Sequence, residues 1–365
     1  MFLWKIRGKK PSFLFGTIHV PYTRVWDSIP GKIKRAFRAA DLVMVELNLS
    51  DPSTLTALSE CQLLPHSQRL RHVIPRDLFN RIKRHLDYVR SQMPSWLPNN
   101  GMSVHVKNIH SEQLFRAITK DWERKRPIWV MLMINSLTEH DIKSRGIPVL
   151  DTYLTQEAER LKKVTGAVER VQEQCNPLNG LNSTQVLYIL NRTMIQHEAI
   201  RRGLVASPLT TDDSIRHYVC GNFQSQLFDP QPPPAARLPN PDHEALVGSS
   251  ARVTSESPIQ SFLSITGQIS GQNGSINDQI DSYFRTEMIF KRNQQMGHRI
   301  VKLLNEKPDT RFFFAFGAAH FLGNHSVISF VEQGGYRVVR VTKSKRRKHG
   351  AGSERAGNKR ITRNP

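Results

Sequence analysis

The sequence predicts an α/β fold: a central mixed sheet built from two related βαβ units, with a helical middle region between them. Three observations carry this reading. First, Phe13-Leu14-Phe15-Gly16-Thr17-Ile18-His19 recurs in outline as Phe314-Ala315-Phe316-Gly317-Ala318-Ala319-His320. Each copy is an apolar run that reads as a buried strand, then a glycine that turns the chain and delivers a histidine at the strand's C-terminal end. Second, each copy is coupled to a helical pattern and a further apolar run. Third, the segments between the copies have mostly helical periodicity.

Taken in order, residues 12–19 form the first predicted strand. Ile29-Pro30 opens a helix in which Ile33, Phe37 and Ala40 recur at helical spacing, and Asp41 breaks it. Residues 42–47 read as a second buried strand, so strand, helix and strand make a βαβ unit with parallel strands. His19 and Glu46 then share the C-terminal edge of the sheet, where α/β folds gather ligands and catalytic groups. Helices are predicted over 78–92, 111–126, 129–144 and 153–165. Short strands are predicted at 148–151 and 167–169. A long helix over 283–306, a strand over 311–316, a helix over 319–333 capped by Gly334-Gly335 and a closing strand over 336–341 complete the second unit. Residues 221–275, with Pro-Gln-Pro-Pro-Pro at 230–234, read as a disordered insertion, and 343–365 as a disordered basic tail. The folded domain is therefore expected within 1–342.

The 365 residues carry a net charge of +21, with nine Lys or Arg against one Glu in 343–365. Such a balance attracts anionic surfaces such as lipid or sulfated glycans. No aromatic residue interleaves with the basic tail, so no nucleic-acid partner is expected. No run approaches the roughly 18 apolar residues of a membrane span. No secretory leader precedes the first strand, and so abrupt a start suggests a truncated N-terminus. Cys61, Cys175 and Cys220 contain no C-x-x-C pair, which argues against a thiolate zinc site. One disulfide and one free thiol would suit an oxidising compartment, with the pairing left open. Sequons start at Asn48, Asn182, Asn191, Asn273 and Asn324. A glycan on Asn48 would crowd Glu46, so that sequon is expected to be unused.

Two strand-end histidines and a strand-end carboxylate suggest one divalent metal site with open positions, held by His19, His320 and Glu46. Glu46 ends an otherwise apolar strand, where an unpaired carboxylate is costly and a metal or an arginine offsets the cost. The chemistry expected is activation of water and polarisation of a carbonyl. Whether Glu46 is ligand or general base is left open. Arg292 and Asn293 sit on the helix before the second copy, where an arginine could stabilise an oxyanion or fix a substrate carboxylate. Asp151 and Glu169 follow short apolar runs and are weaker candidates for the same cleft. No G-x-S-x-G, H-E-x-x-H or glycine-rich phosphate loop competes.

The motifs at 15–21 (Phe-Gly-Thr-Ile-His-Val-Pro), 45–47 (Val-Glu-Leu) and 316–323 (Phe-Gly-Ala-Ala-His-Phe-Leu-Gly) resemble the TraB/GumN-domain proteins. Those at 22–27, 135–139, 141–146 and 156–161 narrow the resemblance to the animal Tiki proteins, over about residues 2–340 without the insertion. The resemblance implies a mixed α/β architecture shared with erythromycin esterase-like and ChaN-like proteins. It also implies a metalloprotease that clips the amino-terminal end of secreted Wnt proteins and so lowers signalling. The implied cofactor is Mn²⁺ or Co²⁺, and the implied location is the outer cell face, on a C-terminal membrane anchor. Carried over by position, the family's two G-x-x-H motifs and Glu give His19, His320 and Glu46, and its Arg-Asn pair gives Arg292-Asn293. The chain departs from the family in showing neither signal peptide nor anchor. Two other readings stand beside this one. One is capture of Wnt, or of haem, without turnover. The other is binding of anionic surfaces through the basic tail.

Overall fold

The computed structural model describes residues 2–98, 101, 103–204, 211–220 and 274–342. Most of the predicted insertion and all of the predicted tail lie outside the described residues. The strands are β1 (Leu3–Arg7), β2 (Ser12–Thr17), β3 (Leu42–Val45), β4 (Val164–Ala167), β5 (Phe312–Gly317) and β6 (Arg337–Arg340). They form one six-stranded sheet in the order β4-β3-β5-β2-β1-β6. β2, β3, β4 and β5 run parallel, while β1 is antiparallel to both of its neighbours. The mixed α/β expectation is met.

The two copies of the repeated motif are neighbours. β2 pairs with β5 in parallel, with Gly16 opposite Phe316 and Thr17 opposite Gly317. The predicted βαβ units are therefore interleaved. The connection from β2 through α1 (Gly31–Ala39) to β3 passes over β5, so β2 and β3 are parallel without touching. Every residue of β5 is buried. A strand covered on both faces has no polar alternation, which explains the unbroken apolar run Phe312 to Phe316. Gly16 is required where β2 meets its neighbours, since a Cβ there would lie 2.7 Å from Cβ of Phe2.

The middle of the chain is helical, as predicted: α2 (Pro52–Cys61), α3 (Arg76–Trp96), α4 (Val104–Ile118), α5 (Pro127–Asn135), α6 (Leu150–Arg160), α7 (Val171–Asn179) and α8 (Ser183–Arg201). Their apolar stripes, such as Leu78, Ile82, Leu86, Val89 and Met93 of α3, build a second core beside the sheet's own. Further along lie α9 (Thr211–Cys220), α10 (Gly274–Tyr283), a π-helical stretch (Phe284–Phe290), α11 (Lys291–Glu306) and α12 (Val327–Gln333). A disulfide joins Cys61 at the end of α2 to Cys175 in α7, and Cys220 is free and exposed.

Five expectations need correction. The helix expected over 153–165 ends at Arg160, and the strand expected at 167–169 is β4 over Val164–Ala167. β1 was not anticipated, because its exposed Lys5 and Arg7 break the apolar signal. Residues 148–151 are not a strand: Val149 makes one isolated bridge to Pro21, and Leu150 starts α6. Asp151 stands in that helix's first turn, where the helix dipole favours a carboxylate. The helix expected over 283–306 includes the π-helical stretch at its start. The helix expected over 319–333 begins as a 3-10 turn at Ala318–Phe321. It breaks at Gly323, whose φ is +76°, and restarts where Ser326 caps α12 through the Ser329 N–H.

Candidate metal centre

The C-terminal ends of β2, β3, β4 and β5 deliver His19, Glu46, Glu169 and His320 to one edge of the sheet. Glu46 follows β3 directly. Its Oε1 accepts the Gly317 N–H at 2.7 Å and stands 3.5 Å from His320 Nε2. Its Oε2 accepts from Arg292 Nη2 at 3.2 Å and from Gln174 Nε2 at 3.4 Å. Burial on its own would raise this carboxyl. His320, Arg292, His19 and the Gly317 N–H outweigh it and hold the group at about 2. Glu46 is therefore an anion at neutral pH.

Gly317 marks the centre of the cluster. A Cβ on it would lie 3.1 Å from Glu46 Oε1, 3.8 Å from His320 Cδ2 and 4.0 Å from His19 Nε2. Two imidazoles and a carboxylate thus approach one point beside Gly317, where a side chain would press on Glu46 Oε1.

Hydrogen bonding decides which ring atom of His320 faces that point. Asn293 Nδ2 donates to the His325 carbonyl at 2.7 Å, so its Oδ1 is the atom 2.5 Å from His320 Nδ1. An amide oxygen accepts, so Nδ1 carries the proton and Nε2 presents a bare lone pair to Glu46. His19 has a carboxylate beside it, at ion-pair distance but without hydrogen-bond geometry. Its Nδ1 lies 3.2 Å from Asp151 Oδ2, and Thr17 Oγ1 donates to Asp151 Oδ1. Burial raises the Asp151 carboxyl, against the opposing pull of His19 and Thr17. His320 is 4 % exposed, and burial pushes its imidazole down despite Glu46.

Arg292 lies behind Glu46, not at the open side. It is 2 % exposed and donates from Nε and Nη2 to Glu169 at 2.8 and 2.7 Å, and from Nη1 to the Met288 carbonyl. Burial would lower this guanidinium, but Glu169 and Glu46 raise it. So placed, it braces a carboxylate instead of meeting a developing oxyanion. Gln174 ties Glu46 to Glu169 and was not singled out in the sequence, because a lone glutamine on α7 leaves no pattern there. Asn48, half-buried two residues past Glu46, accepts the Ser50 N–H at 3.0 Å.

The donor set suits a divalent cation. The His320 Nε2 lone pair faces an ionised carboxylate, and only a shared proton or a cation removes that repulsion. Histidines whose other nitrogen is held by a carboxylate or carbonyl oxygen are the usual form of metal-binding imidazole. As the side chains stand, no group of three or more His, Cys, Asp or Glu among the described residues is placed so that it could hold a metal ion. Nor is any helix of the described residues long and apolar enough to cross a membrane.

Fold and site together define an α/β protein with a His–Glu–His cluster at the carboxyl edge of its sheet. The TraB/PrgY/gumN family model matches residues 2–340, and the chain belongs to that family. It is 49 % identical over 341 residues to Metalloprotease TIKI2 of Xenopus tropicalis, covering 92 % of this chain and 59 % of that protein. It is 50 % identical over 337 residues to Metalloprotease TIKI1 of Danio rerio, covering 92 % and 62 %. Identity to the Homo sapiens Metalloprotease TIKI1 is 48 % over 337 residues, covering 92 % and 61 %. The chain thus spans about three-fifths of the length of these curated relatives. No solved structure matches. The resemblance read from the G-x-x-H motifs is borne out.

Proposed function

We propose that this chain is a metal-dependent peptidase whose cation is held by His19 Nε2, His320 Nε2 and Glu46 Oε1. The observation that carries the reading is His320 Nε2 set 3.5 Å from Glu46 Oε1 beside Gly317, with Nδ1 turned to Asn293 Oδ1. The names of the relatives support the peptidase class. When bound, such an ion polarises a carbonyl and acidifies water. The chain's own residues prepare for it. Asn293 holds the His320 imidazole through Nδ1, and Asp151 stands 3.2 Å from His19 Nδ1. Arg292, itself fixed by Glu169, holds Glu46 in place and ionised. Glu46 serves as a ligand, and Arg292 as its brace.

The finer reading takes Mn²⁺ or Co²⁺ as the ion and the amino-terminal region of Wnt proteins as substrate, at the outer cell face. It rests on the family resemblance. The Cys61–Cys175 disulfide supports an oxidising compartment. The test is titration calorimetry with Mn²⁺ and Co²⁺, together with mass spectrometry of a Wnt protein after incubation. His19→Ala and His320→Ala should each weaken metal binding by at least tenfold and leave the Wnt amino-terminus intact. Undiminished metal binding and cleavage in both variants would overturn the proposal. Tight metal binding with an intact Wnt amino-terminus in the unaltered chain would keep the site and reject the substrate.

A further inference from the structure

Away from the metal centre, two adjoining grooves of about 420 Å³ each lie where β1 and β6 leave α1. They share Lys5, Pro11 and Val341, so they form one trough. Five cations line it: Lys5, Arg7, Lys32, Arg35 and Arg311. Among the described residues, none that lines either groove is acidic. Arg340 also borders it, but its guanidinium is 5.9 Å from the Trp4 ring centroid, and Trp4 points to the sheet's other face. Arg7 follows β1 towards the edge opposite His19, and Arg311 directly precedes β5 at that same edge.

None of the five is in an ion pair among the described residues. Lys32 Nζ donates to the Val341 carbonyl at 2.5 Å, and Arg311 Nη1 to the Ala39 carbonyl at 3.5 Å. Carbonyls satisfy these donors without neutralising them. Asp41 accepts the Arg311 backbone N–H, and Asp309 pairs with Lys9. Lys5, Arg7 and Arg35 are exposed with no hydrogen-bond partner among the described residues. A concave row of uncompensated like charges raises the local potential and concentrates a polyanion.

We infer that this trough is a docking site for a linear sulfated polysaccharide. A chain of sulfates can follow an elongated groove and meet successive cations. A bilayer presents a flat face, and Val339 is the one exposed large apolar side chain among the lining residues that could enter it. Single-stranded nucleic acid would require stacking platforms, and the trough's aromatic residue, Phe13, is part of the sheet's packing. Every lining residue belongs to the described residues. The trough is apart from the metal centre, so a bound polysaccharide would leave the sheet's catalytic edge open.

The test uses the full chain with two variants. One replaces Lys5→Gln, Arg7→Gln and Arg35→Gln. The other replaces Lys345→Gln, Arg346→Gln, Arg347→Gln and Lys348→Gln. Binding of a size-defined heparin oligosaccharide is measured by fluorescence anisotropy across a salt series, and retention on phosphatidylcholine–phosphatidylserine vesicles by sedimentation. The trough variant should bind the oligosaccharide at least tenfold more weakly. Its plot of log affinity against log salt should be flatter by roughly 2–3, near one per lost contact. Lys5→Arg should bind as the unaltered chain does, and metal affinity should be unchanged in all variants. An unchanged trough variant, a loss confined to the tail variant, or vesicle binding that is lost in parallel with the oligosaccharide would overturn the inference.

Discussion

The proton on His320 is placed by one neighbour. Asn293 spends its amide N–H on the His325 carbonyl, so only its oxygen is left to face Nδ1. That choice leaves Nε2 bare towards Glu46. Local sequence could nominate Asn293 but could not supply its role, because the partner carbonyl is 32 residues away. Gly317 acts at the same scale. It contributes an N–H to Glu46 and, by lacking a Cβ, puts no side chain against Glu46 Oε1. In Gly317→Ala the methyl group would sit 3.1 Å from Glu46 Oε1. We predict that this variant keeps its fold by circular dichroism and loses metal affinity by about 10–100-fold, the range for changes beside metal ligands. Affinity within twofold of the unaltered chain would show that the centre lies elsewhere.

Where helices meet, the buried His85 of α3 and the half-buried His197 of α8 make stability depend on pH. His85 is 3 % exposed, and its ring centroid is 4.9 Å from that of His197, whose Nε2 faces Asn135 Oδ1 at 3.1 Å. Neither His85 nitrogen has a hydrogen-bond partner among the described residues. Burial, then His197 and Arg201, pushes His85 from 6.5 down to about 3; burial and Arg201 push His197 to about 4. A histidine depressed in the folded state binds its proton more readily when unfolded. Stability is therefore unaffected above pH 6.5 and falls as pH drops from 6.5 towards 4 and then 3. The slope is at most about 1.4 kcal/mol per pH unit for each group. Urea midpoints measured from pH 7 to pH 4 should decline, and His85→Leu should flatten the decline. An equal decline in that variant would assign the acid sensitivity to other groups.

Across the whole molecule, the candidate ligands come from positions 19, 46 and 320, so the site exists only once both ends of the chain share a sheet. A metal that binds this site binds the folded state alone. At a hundred times its Kd it should therefore add about 2.7 kcal/mol of stability. Thermal unfolding with and without Mn²⁺ should show a concentration-dependent rise in Tm that chelation removes and His320→Ala abolishes. A Tm insensitive to metal would mean that no such site forms. Two packed cores, one around the sheet and one among the helices, frame this edge. The Cys61–Cys175 disulfide ties α2, which follows Glu46, to α7, which carries Gln174.

Much of this was legible in the chain's own pattern. The echo of Phe13–His19 in Phe314–His320 marks two buried strands that end in histidine, since a strand covered on both faces must be apolar throughout. The 3.6-residue periodicity marks the helical middle, and the carboxylate at the end of 42–47 marks Glu46. Other features belong to tertiary structure alone. Strand pairing is a non-local choice, so no local pattern places β5 between β2 and β3 or adds the antiparallel β1. Asp151 reads as a strand end, yet folding puts it in the first turn of α6, where it meets His19. Arg292 reads as a group for an oxyanion or a substrate carboxylate, yet Glu169 and Glu46 converge on it from the ends of two neighbouring strands. Sequence determined which side chains stand at strand ends, because periodicity is local. Only the packed sheet decided which of them face one another, because proximity between residues some 300 positions apart is set by strand order.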